Sequence, residues 1–201
     1  MSEIFKGRER ALEADYFRKQ DAKLLAKMRE RAALQEVAQA LAEKLRVDDA
    51  ELLQRVSDLG LNRETGPAIL LAPLVQVAWA EGRVTESERA VVFEVAASRG
   101  VEPGTPAHAQ LDAWLRQRPA DALFETALEV MKVAASVLPP AEREERIHAI
   151  VDACKRVAGA SGGGLAKLLG MGSTISGDES SVLEAITAQL RSAPLGRFGS
   201  S

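Results

Sequence analysis

The residue types able to do chemistry in this 201-residue chain are few and scattered. His108 and His148 stand alone, with no H-E-x-x-H arrangement and no second histidine at helical spacing, so surface or interface roles fit them better than zinc ligation. Cys154 is followed by Lys155 and Arg156 but has no obvious base, and it reads as a small buried apolar residue. The stretch "SGGGLAKLLGMG" offers glycines and Lys167 without the G-x-x-x-x-G-K-[ST] spacing of a phosphate loop, and no strand leads into it. It reads as a flexible turn with a short apolar helix carrying Leu165, Leu168, Leu169 and Met171. The acidic turn from Glu81 to Glu88 is the weak metal candidate. Glu81, Glu86 and Glu88 do not supply oxygen ligands at the alternate positions a calcium loop needs, so plain helix capping is the reading there. No carboxylate pair stands out from the helix surfaces, and the chain reads as non-enzymatic, without a cofactor.

The elements that would position these residues are all helical. Leu34, Val37, Leu41 and Leu45 recur at three- and four-residue steps, the face of a helix docked on a core. Asp48 and Asp49 cap "AELLQRVSDLG", whose face is Leu52, Leu53, Val56 and Leu59 and whose stop is Gly60. "PAILLAPLVQVAWA" is apolar nearly all the way round and belongs at the centre, with Pro73 either kinking it or starting its second part. Thr85 to Glu88 gives a capping box for a helix closed by Gly100, and Thr105 with Pro106 opens another carrying Leu111, Trp114 and Leu115. Two more span Pro119 to Val137 and Pro140 to Ala160, separated at Pro139-Pro140. A last one runs from Ser176 to Leu190 with Ser176 and Glu179 in capping-box spacing. No credible strand appears, so the class is all-α: a long N-terminal arm, then a compact bundle of about six or seven helices. The domains are residues 1–33 as an exposed arm, 34–191 as the helical domain and 192–201 as a flexible tail.

Two stretches repeat one another. "VAWAEGRVTESERAVVFEVA" runs helix, Gly turn, β-branched Val84, hydroxyl cap Thr85 and Glu88 into the next helix; "STISGDESSVLEAI" repeats the pattern with Ile175, Ser176 and Glu179. This unit resembles the tellurite-resistance TerB-like family, an all-helical fold of two such units around a core, over about residues 67–190. The resemblance implies an acidic residue at the first turn that has been considered a metal ligand. Here Glu81 stands where the family usually has Asp, and the second unit has Ser161 and three glycines with no acid before the turn.

The N-terminal segment poses a different question. From Phe5 to about Arg31 the composition is strongly helix-forming, with charges at four-residue spacings, yet its apolar residues are too sparse to make a core stripe. Even so, Tyr16 and Phe17 sit side by side in it. "GRERALEADYFRKQ" presents Gly7, Arg8, Glu9, Ala11, Glu13, Tyr16, Phe17 and Arg18 in order. That order resembles the inhibitory helix of the mitochondrial ATP synthase inhibitor family, roughly G-x-R-E-x-A-x-E-x-x-Y-F-R, and the start of the bacterial zeta-type inhibitor. Gly7 abuts Arg8 directly, where the family pattern has a spacer. The resemblance implies that Tyr16 and Phe17 anchor in a catalytic interface of the ATP synthase head, Leu25 and Met28 extend the contact, and Glu9, Glu13, Arg18 and Gln20 make the polar contacts. The arm has no His and leads into a globular domain, not the family's coiled coil, so a pH switch is not implied. The alternative reading is that the paired rings dock on their own domain or form a homo-oligomer seam.

Composition narrows the partners. Residues 1–46 hold 11 Lys/Arg and 8 Asp/Glu, a balance of +3, and the remainder holds 15 and 21, a balance of −6. In the first segment the signs interleave, which argues against a phosphate-binding stripe and hence against nucleic acid. Apolar residues make up 46% and aromatics 4%, so the core is built mainly from Ala, Val and Leu in closely packed helices. No apolar run reaches the roughly 20 residues of a membrane span, and no signal-peptide pattern opens the chain. With a single cysteine excluding an intrachain disulfide, the expected setting is cytoplasmic. The expectation is a regulatory protein that inhibits ATP hydrolysis through its arm. The alternative is a TerB-like stress-associated scaffold or ion-linked interaction module with no ATPase target.

Overall fold

The computed structural model describes residues 18–29, 32, 35, 49–161 and 176–192. Among these the protein is all-helical, with no strand. Residues 18–29 are helical. The junction expected near residue 33, the helix face from Leu34 to Leu45, the glycine-rich stretch with Lys167, and the expected tail beyond Ser192 lie outside the described residues.

The first described helix of the bundle is α1, Ala50–Asp58, where Asp49 caps the helix by accepting from the backbone N–H groups of Glu51 and Leu52, both at 3.0 Å. Leu52, Leu53 and Val56 form its buried face, and Gly60, at φ 76°, takes the left-handed turn that ends it.

The most apolar stretch then splits in two. Gly66–Leu71 is a 3-10 helix opened by Pro67, and α2, Ala72–Ala78, starts afresh with Pro73 in its first turn. Of the two roles open to Pro73, starting a helix is the one adopted: at the first turn its missing N–H leaves no bond unmade, whereas inside a continuous helix it would. Ala68, Ile69, Leu71, Ala72, Leu74, Val75, Val77 and Ala78 are all buried, as an element apolar on every side must be.

Around this centre pack α3, Glu86–Ser98; α4, Pro106–Arg116; α5, Asp121–Ser136; α6, Pro140–Ser161; and α7, Gly177–Arg191, each touching α2. Further contacts join α3 to α6, α6 to α7, α5 to α7 and α1 to α5. Alanines at 72, 78, 96, 127 and 158 are fully buried and let the helices approach closely. Truncating a central side chain such as Ile69 or Leu74 to Ala would cost about 2–5 kcal/mol, because such close packing leaves little room to collapse. Among the described residues no helix is long and apolar enough to cross a membrane.

Candidate interaction sites

Residues 18–29 are exposed along their whole length. Leu24, Leu25 and Met28 stand 60%, 53% and 60% exposed; the other large apolar residue exposed among the described residues is Val137. At about 100° per residue those three fall within about 100° of arc, with Arg18 bordering the stripe beside Leu25 and Gln20 bordering it beside Leu24. An apolar stripe flanked by polar groups and left in water is the pattern of a helix that lies in a partner's groove. Of the residues assigned to partner contact, Arg18, Gln20, Leu25 and Met28 are thus on one exposed helix, whereas Glu9, Glu13, Tyr16 and Phe17 lie outside the described residues. Leu24, which the resemblance to the inhibitor helix does not name, lies on the same stripe through its four-residue spacing from Met28.

The second constellation is the pair of capping boxes. Thr85 caps α3: its hydroxyl accepts from the Glu88 N–H at 3.2 Å, and Glu88 Oε2 accepts in return from the Thr85 N–H at 2.6 Å and hydroxyl at 2.7 Å. Ser176 caps α7 in the same way, with Glu179 N–H to Ser176 Oγ at 3.2 Å and Ser176 N–H to Glu179 Oε2 at 2.8 Å. Both glutamates are buried, at 1% and 0% exposure, against the ordinary rule that carboxylates stay in water.

Folding brings the two boxes into electrostatic reach. Desolvation pushes the Glu88 carboxyl above its ordinary value, the Thr85 hydrogen bonds oppose that, and the charges of Glu179 and Glu81 raise it further. Glu81 itself is exposed on the turn with Gly82, so it shares the field without joining Glu88 inside. Glu88 thus completes a helix end in a negative environment. Among the described residues no three His, Cys, Asp or Glu side chains gather in a way that could hold a metal ion.

The remaining chemical candidates sit apart. The His108 ring stacks on Phe93 at 4.5 Å and 15°, and His148 pairs with Asp152 at 2.9 Å on the exposed side of α6. Cys154 is fully buried, and burial pushes its thiol up to about 12, with Arg99 pulling weakly the other way; it is no thiolate nucleophile at neutral pH. Compared with known proteins, the chain matches no family model, no curated protein and no solved structure.

Proposed function

We propose that this chain is a non-enzymatic regulatory protein whose leading helix docks into a groove of a protein partner, and that this partner is the catalytic head of ATP synthase. The observation that carries the reading is the exposed stripe of Leu24, Leu25 and Met28 on residues 18–29. Three large apolar side chains held in water on one helix gain free energy only when something covers them, about 1.5–3 kcal/mol for each one fully buried. Resemblance of the preceding residues to the ATP synthase inhibitor helix names the partner, and Tyr16 and Phe17 are the anchors in this reading. Binding at a catalytic interface would stop ATP hydrolysis with no chemistry by the inhibitor itself. A cytoplasmic setting belongs to the same proposal.

A second reading is favoured by the meeting of the two capping boxes, Thr85–Glu88 and Ser176–Glu179. In it the helical domain is a TerB-like interaction module of the stress-associated kind, and the arm extends it or pairs two copies.

One assay separates them: ATP hydrolysis by purified ATP synthase head with the intact chain, with residues 1–33 deleted, and with Tyr16→Ala and Phe17→Ala. Inhibition by the intact chain that is lost in the altered forms is the expected result. No inhibition by any form removes the first reading.

A further inference from the structure

We propose that the apolar groove where the 3-10 segment and α3, α5, α6 and α7 meet binds a small apolar carboxylate. Its volume is about 310 Å³, at the lower end of the range of ligand pockets. Leu70, Met131, Ile147 and Leu190 supply apolar walls, and Arg99 and Arg146 supply its charge; among the described residues no acidic one lines it.

The arginines are what distinguish this groove from a packing fault. Neighbouring Arg143 spends its donors on the carbonyl groups of Ala135, Ser136 and Leu138, and Arg191 is paired with Glu144 at 2.6 Å. The guanidinium groups of Arg99 and Arg146 have neither a hydrogen-bond nor an ion-pair partner among the described residues. Both arginines reach water, and desolvation holds the Arg99 guanidinium below its ordinary value. A cation on an apolar wall is stabilised by an anion that brings its own apolar body.

The size and sign of the groove set the ligand class. A straight or aryl monocarboxylate of about ten heavy atoms would lay its hydrocarbon along Leu70, Met131, Ile147 and Leu190 and present its carboxylate to the two guanidinium groups, where bidentate geometry is available. A neutral alcohol of the same length keeps the apolar contact and loses the charge-assisted bonds. An alkylammonium is repelled.

Titration calorimetry on the full chain with sodium octanoate, octan-1-ol and octyltrimethylammonium tests this. Octanoate is expected to bind at least about tenfold tighter than octan-1-ol, the gain of charge-assisted hydrogen bonds, and the ammonium compound not at all. Arg99→Gln and Arg146→Gln should each erase most of that preference, and Ala149→Phe, placed on the exposed rim of the groove, should block octanoate and octan-1-ol together. Circular dichroism confirms that each variant is folded. Absence of octanoate binding, equal affinity for acid and alcohol, or affinity unchanged in the variants overturns the proposal. So does a concentration-dependent dimer in sedimentation that the same substitutions dissociate, which would put a second copy in the groove.

Discussion

The indole N–H of Trp79 donates to the backbone carbonyl of Trp114 at 2.8 Å, tying the end of α2 to the last turn of α4. That carbonyl is one of the last four of its helix and therefore has no intrahelical donor to wait for. The indole meets the need from 35 residues away in sequence, and in doing so fixes where α4 lies against the central element. Trp79→Phe keeps an aromatic ring but leaves the carbonyl without that donor. The expected loss is about 1–3 kcal/mol, read as a lower urea midpoint with the slope unchanged.

Glu88 makes stability depend on pH in a sense opposite to that of most carboxylates. Its folded-state pKa is raised, first by burial, so at pH values below the unfolded glutamate pKa it is protonated in both states and costs nothing. As pH rises from there through the folded pKa, the folded state holds the proton longer than the unfolded one, and stability falls until both are ionised. Glu88→Gln removes the titration. The difference in unfolding free energy, wild type minus Glu88→Gln, is expected to shift against the wild type as pH is raised from below the ordinary value of 4.5 toward neutrality. A difference that rises with pH would reverse the assignment.

Arg143 is the clasp between α5 and α6. Its guanidinium donates to three carbonyl oxygens at the C-terminal end of α5 and just beyond, at 3.1, 3.1 and 3.2 Å, across the Pro139-Pro140 break. Cations at a helix C-terminus are favoured by the macrodipole as well as by the orphan acceptors. Arg143→Ala is expected to cost about 1–3 kcal/mol, and Arg143→Lys to recover only part of it, because an ammonium cannot reach all three acceptors in one fork. Thermal unfolding of the two variants checks the order.

Cys154 offers a probe of opening. With no exposure and a thiol pushed up to about 12, it should resist an aromatic disulfide reagent at neutral pH in the native protein and react promptly in urea. Its labelling rate in water is then expected to track the population of the opened state. Fast labelling of the native chain would contradict the burial.

What was legible in the sequence was what is local. Both capping boxes, the Asp49 and Thr105 caps and the Gly60 and Gly100 stops appear where three-residue spacing and turn chemistry put them, since the partners lie within one turn of chain. Leu25 and Met28 enter only through the resemblance to the inhibitor helix, and what the structure adds is that both stand in water. The relationships made by packing were not legible. Nothing in the spacing of Trp79 and Trp114 announces their bond, and the approach of Glu88 to Glu179 needs α3 and α7 to be set against their neighbours first. Arg99 and Arg146 look like ordinary surface charges until separate elements close a groove between them.

The arm separates stability from binding. Leu24, Leu25 and Met28 lie exposed on residues 18–29, so Leu25→Ala and Met28→Ala remove no buried contact of the described bundle. Their effect on the unfolding free energy is expected to stay within about 0.5 kcal/mol, the usual range for surface sites. The same substitutions remove apolar area that a partner's groove would cover, and the proposed anchors Tyr16 and Phe17 carry more of it than either. Tyr16→Ala or Phe17→Ala is therefore expected to weaken inhibition of ATP hydrolysis by about 1–4 kcal/mol of binding, with Leu25→Ala and Met28→Ala each costing less. Parallel loss of stability and inhibition in these variants would mean that the stripe is packed at home, because a helix held by its own molecule cannot lose contacts without loosening the fold.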